Sequence, residues 1–124
     1  PGASKVFRGS IVSYATDLKF SLLDVPEGPV VTEEAAIAMA HGARRALGSD
    51  VGIAATGVAG PDPQEGQAPG TVCLAVVIGE PGPAGSVGSM RLQLPGRRHQ
   101  VREFSVITLL GLLRRRLLDL DGAG

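Results

Sequence analysis

Three groups of residues in this chain have the types and spacing to carry chemistry. Tyr14 and Lys19 lie close together early in the sequence. The stretch Thr56-Gly57-Val58-Ala59-Gly60-Pro61 follows a short apolar run, Val51 to Ala55, and can neither continue a strand nor start an ordinary helix. Its glycines permit positive φ and remove side chains that would block a ligand, so amides near Gly57 and Gly60 are candidates to face an anion, with Thr56 and Ala59 beside them. The third group is Arg97, Arg98, His99 and Arg102. Cations at a helix start oppose its dipole, which makes more sense if an anion such as a phosphate binds between them. Arg98 and Arg102 fall on one helical face, and either can give a phosphate a bidentate contact.

Each group also has a plain structural reading. A glycine turn can be simple punctuation between a strand and a loop, and the arginines can be a solvated helix start. A lysine serves as a base near neutrality only when burial or a neighbouring cation depresses its pKa, at about 1.36 kcal/mol per unit, and spacing alone favours a surface lysine on a short helix. Cys73 reads as an inert core residue within a buried strand. Ser10 and Ser13 are near Tyr14, but no histidine and acid can be placed around them, which argues against a serine hydrolase triad within the chain. The run Arg114-Arg115-Arg116 suits the end of a helix and reads as a solvated face.

The elements that must position these residues can be taken in chain order. Lys5 to Tyr14 (KVFRGSIVSY) is rich in β-branched and aromatic residues and predicts a strand, bulged at Gly9. Thr16 to Leu23 predicts a short helix with Leu18, Leu22 and Val25 as its apolar stripe. Thr32 is an N-cap, Glu33 and Glu34 suit a first turn, Arg44 and Arg45 a last turn, and Gly48 a stop, so a helix runs to about Leu47 with Ala36, Met39, Ala40, Ala43 and Leu47 inward. Gly70 to Ile78 is nearly continuous aliphatic sequence and predicts a strand buried on both faces. Ser86 to Leu94 predicts a hairpin partner or edge strand, and Arg97 to Leu118 a long helix packed on two sides or placed in an oligomer contact. This order predicts an α/β fold, a three-layer-like sandwich in which helices cover a mixed β-sheet.

Composition narrows the partners. The chain has 124 residues, 12 basic and 12 acidic, which fits one domain and supplies no field to draw it to nucleic acid or to a membrane. Eighteen glycines, nine prolines, no tryptophan and 3% aromatics predict a closely packed aliphatic core and argue against a stacking platform for single strands. One cysteine excludes an intramolecular disulfide, His41 and His99 are too far apart for metal-ligand spacing, and the whole fits a reducing cytoplasm. No export signal is read, and a start at Pro1-Gly2 without methionine predicts a fragment or a processed product.

With these residues laid out, the chain resembles the C-terminal domain family of the competence/damage-inducible protein CinA, whose stand-alone members are nicotinamide-nucleotide amidases. The likeness is carried by Pro1-Gly2-Ala3-Ser4 with Val6-Phe7, by Ser13-Tyr14 followed by Lys19, and by Val31-Thr32 with Ala36, Met39-Ala40 and Gly42-Ala43. It continues in Thr56-Gly57-Val58-Ala59-Gly60-Pro61 followed by Gly70-Thr71-Val72, and in Arg98 with Arg102. The resemblance implies hydrolysis of the carboxamide of nicotinamide mononucleotide to the nicotinate nucleotide and ammonia, by a serine nucleophile and a lysine base, without cofactor or metal. It further implies that Lys19 is the base with Tyr14 beside it, that Thr56, Gly57, Ala59 and Gly60 hold substrate, and that Arg98 and Arg102 meet the phosphate. A homo-oligomer is expected.

This sequence departs from the family pattern in two places. The nucleophilic serine of the family lies in a Glu-Ser-Cys-Thr-Gly-Gly motif upstream of the Pro-Gly-Ala-Ser stretch, so residues 1–124 are expected to be a domain lacking its N-terminal helix, strand and nucleophile. After Pro61 the usual glycine pair is Asp62-Pro63-Gln64, and Gln67-Ala68-Pro69 replaces Lys-Pro-Val. The competing reading is a non-catalytic ligand-binding or assembly domain that keeps the fold. Direct DNA binding ranks last for want of a basic stripe.

Overall fold

A computed structural model describes residues 1–123. A 3₁₀ turn (Ala3–Lys5) precedes helices α1 (Thr16–Leu23) and α2 (Glu33–Leu47), strands β1 (Val51–Gly57), β2 (Thr71–Ile78) and β3 (Ser86–Gln93), and helix α3 (Arg98–Ala123). The strands pair in the order β1-β2-β3, antiparallel throughout, with Thr56 opposite Cys73 and Leu74 opposite Met90.

Strand β2 is buried along almost its whole length because both of its faces are covered. Cys73, Ala75 and Val77 pack with Ala36, Met39 and Ala40 of α2 and with Leu23 of α1, while Val72, Leu74 and Val76 pack with Val101, Leu109 and Leu112 of α3. The period-2 alternation of a strand thus divides one aliphatic run between two helical layers. The α/β class, with helices over a sheet, is the one read from the sequence. The sheet itself is antiparallel rather than mixed among the described residues.

Lys5–Tyr14, expected as a strand, forms none among the described residues. After the 3₁₀ turn, closed by Val6 N–H donating to Ala3 O (3.0 Å), the chain runs irregularly, with Gly9 at φ 147° and the Arg8 guanidinium reaching Leu47 O (2.9 Å). β-Branched composition favours a pleated surface but supplies no ladder, and among the described residues this segment pairs with no strand, facing β1 only across a cleft. Val6, Phe7, Val12 and Tyr14 stay exposed.

The helices follow their caps. Thr32 Oγ1 accepts from Ala35 N–H (3.0 Å), Glu33 and Glu34 occupy the first turn, and Gly48 at φ 63° ends α2. Of the stripe expected for α1, Val25 just beyond its end is buried, but the helix itself turns a different face inward. Leu23 and the half-buried Phe20 meet the core, whereas Leu18 and Leu22 are exposed. The short helix is oriented by its close approach to α2 at Gly42, where a side chain would meet the backbone of Leu23, 2.8 Å from its Cα. Arg116 also differs from the solvated reading of its run. It donates to Ser86 Oγ (2.9 Å) and Val87 O (2.6 Å), fastening α3 to β3.

Helix α3 buries one face, through Val101, Ser105, Leu109 and Leu112, and leaves Val106, Ile107, Leu110 and Leu118 exposed. Among the described residues no helix is long and apolar enough to cross a membrane.

Gly42 tests this packing by sign. Alanine in a helix interior is favoured over glycine by about 1 kcal/mol, whereas overpacking against fixed backbone costs about 1–3 kcal/mol or more. Gly42→Ala should therefore destabilise, read as a lower urea midpoint, and a raised midpoint would mean that α1 does not sit against α2 as described.

Candidate functional site

The residues singled out for chemistry come from four separate parts of the chain and meet in one cleft of about 660 Å³. The irregular segment before α1 supplies Ser13 and Tyr14, α1 supplies Lys19, and the end of β1 with its following loop supplies Thr56, Gly57, Ala59 and Gly60. The start of α3 closes it with Arg98 and Arg102. Arg97 and His99 are exposed and do not line the cleft.

Lys19 is held rather than free. Its Nζ donates to Ser13 O at 2.7 Å, within the turn that joins the irregular segment to α1. Burial lowers its pKa from the usual lysine value, and the Glu65 carboxylate opposes part of that fall. A lysine in this setting is a better proton acceptor near neutrality than a solvated one. Tyr14 borders the cleft with its ring largely in solvent.

The glycine turn is built differently from the expectation. Strand β1 continues through Thr56 to Gly57, pairing Gly57 with Val72, and Val58 N–H is spent on Thr71 O (2.8 Å). Gly57 lacks a side chain because one would stand 2.8 Å from Thr71 O, and Gly60, at φ 89°, lies where a Cβ would be 2.9 Å from Pro69. Close approach of the chain to itself accounts for both glycines. The Thr56 hydroxyl is also committed: it donates to Val30 O at 2.8 Å in a buried position, so toward a ligand it can only accept.

At the far side of the turn, Arg98 Nη1 donates to Gly60 O at 3.1 Å. This contact fixes the α3 start to the loop while leaving the rest of the guanidinium open. Arg102, one turn on, faces the same cleft and is exposed. Two cations are thereby set beside a glycine-lined wall, an arrangement suited to a phosphate or carboxylate.

One cleft residue, Glu65, lay outside the sequence reading, and Gln67, named there only as a departure from the family pattern, braces the same stretch from outside the cleft lining. Glu65 accepts from Val30 N–H (2.9 Å) and Val31 N–H (2.9 Å), and Gln67 Nε2 donates to Val31 O (2.8 Å). The Glu65-Gly66 pair marks a turn in the sequence, but nothing local tells what the carboxylate will meet. Among the described residues no cluster of histidine, cysteine, aspartate or glutamate could hold a metal ion.

The fold and this cleft together place the chain among the α/β domains related to competence/damage-inducible proteins. The CinA C-terminal domain family matches residues 1–117, and the chain belongs to that family. A CinA-like protein of Frankia casuarinae is 48% identical over 99% of this chain and 28% of its own length. A putative competence-damage inducible protein of Halalkalibacterium halodurans is 43% identical over 83% of this chain and 25% of its own. Among solved structures, a competence-damaged protein (CinA) superfamily protein from Enterobacter cloacae superposes with a TM-score of 0.78 at 32% identity, over 86% of this chain and 64% of that one. The chain thus spans under a third of the length of these curated relatives.

The Thr56 bond gives the site a direct test. Thr56→Val keeps shape and burial but strands Val30 O, a loss of about 1–3 kcal/mol, whereas Thr56→Ser keeps the donor and should recover most of it. Urea unfolding of the two variants measures this, and equal midpoints for valine and serine would show that the bond does not form.

Proposed function

We propose that this domain forms the lysine- and phosphate-binding part of an amidase that converts nicotinamide mononucleotide to the nicotinate nucleotide and ammonia. One observation carries the reading: a lysine with a lowered pKa and a pair of arginines line the same cleft. Amide hydrolysis needs a base at the carboxamide end, and a nucleotide needs cations at the phosphate end.

In this reading Lys19 takes the proton of a serine hydroxyl as its oxygen attacks the carboxamide carbon, and returns a proton to the nitrogen so that the C–N bond breaks and ammonia leaves. Water then adds to the acyl-serine, again with Lys19 as base, releasing the carboxylate and restoring the serine. Tyr14 flanks the lysine. Gly57, Ala59 and Gly60 form the wall against which the nucleotide lies, with Thr56 behind it, and Arg98 and Arg102 take the phosphate.

Ser13 is the serine nearest the lysine by contact, but it meets Lys19 through its carbonyl and serves to position it. In this reading the nucleophile comes from a segment preceding Pro1, as the family likeness implies. What supports that placement is the outer edge of β1, which has no strand partner among the described residues, flanked by apolar clefts of about 270 and 460 Å³. The exposed apolar side of α3 favours a second reading, in which the domain serves in assembly with another copy or another part of the protein.

The full-length protein decides between the two. It should release ammonia from nicotinamide mononucleotide, and Lys19→Ala should cut kcat by about 10²-fold or more with little change in KM. Arg102→Ala should weaken the nucleotide at least tenfold while leaving the phosphate-free riboside almost unchanged, as loss of a charge-assisted contact worth about 1.5–3 kcal/mol requires. No ammonia from the full-length protein would remove the amidase reading, and equal losses for nucleotide and riboside would remove the phosphate assignment.

A further inference from the structure

Val30 and Val31 lie in an irregular stretch before α2, yet all their backbone polar groups are bonded to side chains from one neighbourhood. The two oxygens of Glu65 accept from Val30 N–H at 2.9 and 3.2 Å, and one of them also accepts from Val31 N–H at 2.9 Å. Thr56 Oγ1 and Gln67 Nε2 donate to Val30 O and Val31 O, each at 2.8 Å. Bonds from amides to an ionised carboxylate are among the stronger hydrogen bonds in proteins. Glu65 makes them from a left-handed backbone, φ 52°, at the corner of a turn closed by Gln67 N–H donating to Gln64 O (2.8 Å). A non-glycine residue in that conformation carries a local cost that its bonds must offset.

The clamp has a second consequence. Val30 and Val31 pack with Val58 and with Phe20, the neighbour of Lys19 on α1, so one side chain joins the loop after β1 to the wall that carries the lysine. Glu65 also lines the cleft and is the acid whose charge acts on Lys19. No ion pair joins them among the described residues. The carboxylate is occupied by amides and Lys19 by Ser13 O, so the charge acts across the cleft without capturing the ammonium. The other ionisable groups lining the cleft are Tyr14 from the preceding segment, Asp62 on the loop, and Arg98 and Arg102 on α3, and on α1 itself Asp17 lies two positions before Lys19. From α2 the cleft receives the uncharged Met39, while Arg45 is engaged with Asp24.

We propose that Glu65 is a positioning residue for Lys19: through the Val30 and Val31 amides it holds the wall of the cleft, and it presents a fixed negative charge to the lysine from that same anchored position. The inference rests on reading Lys19 as the base, but its test does not depend on turnover.

The experiment titrates Lys19 in the full-length protein, with ¹³C at lysine Cε and the resonance assigned by Lys19→Arg. Glu65→Gln keeps an acceptor for the amides and removes the charge. The negative neighbour favours the ammonium, so its loss should move the Lys19 midpoint to lower pH, and the acid limb of kcat/KM should move with it. Glu65→Asp keeps the charge but shortens the reach, so the midpoint should stay near wild type while KM for the nucleotide rises. A midpoint unmoved by Glu65→Gln overturns the proposal and leaves the amidase reading standing. A midpoint moved as far by Glu65→Asp overturns it too, and if Glu65→Gln does not fold, an unchanged KM in Glu65→Asp overturns the positioning role. A midpoint shifted by Glu65→Gln in a protein that releases no ammonia upholds the role of Glu65 and removes the amidase reading.

Discussion

Strand β2 is the constraint on which the rest of the structure depends. With both faces covered it has no polar side to offer water, and its backbone groups must be paired on both edges. β1 and β3 do that pairing, and α2 and α3 cover the two faces. Small residues on the α2 side let that helix approach closely, as Gly52 shows by lying against the Ala40 carbonyl where no Cβ would fit. Once α2 is seated, Gly42 draws α1 in, and α1 carries Lys19. The long α3 on the other face brings Arg98 to the end of β1. The cleft is therefore the place where both helical layers reach past one end of the same sheet.

At that end the sheet gives out, and side chains replace the ladder. Val30 and Val31 are buried without a strand partner, a position that leaves backbone groups costly unless they are satisfied. Glu65, Thr56 and Gln67 satisfy them, and in doing so tie the loop after β1 to the stretch that leads into α2. Residues whose polarity suggests a ligand are in part committed to the fold. Thr56 spends its proton on Val30 O, and Gly57 and Gly60 are explained by chain packing. What remains open to a ligand is a lysine, two guanidiniums and a wall without bulky side chains.

The parts of this arrangement that were legible in the sequence are those governed by local signals. Thr32, Glu33, Glu34 and Gly48 mark α2 from within a few residues, and the unbroken aliphatic run of β2 announces its double burial. Lys19, the glycine turn and the arginines stand out by residue type, and a cleft does gather them. The misread parts depend on distant partners. Lys5–Tyr14 has strand composition but pairs with no strand among the described residues, and the face α1 buries, through Phe20 and Leu23, is set by its approach to Gly42 rather than by Leu18 and Leu22. Arg116 looks solvated until β3 is placed beside it, and the Glu65 carboxylate meets amides 34 and 35 positions away. Neither periodicity nor turn chemistry reports such pairs.

The central claim is that one cleft binds a nucleotide with its carboxamide toward Lys19 and its phosphate toward the start of α3. A crystal structure of the full-length protein with nicotinamide mononucleotide tests it most directly. The account predicts phosphate oxygens within hydrogen-bond distance of the Arg98 and Arg102 guanidiniums, with the carboxamide at Lys19 Nζ. Nucleotide bound elsewhere, or bound in this cleft with its phosphate away from both arginines, would contradict it.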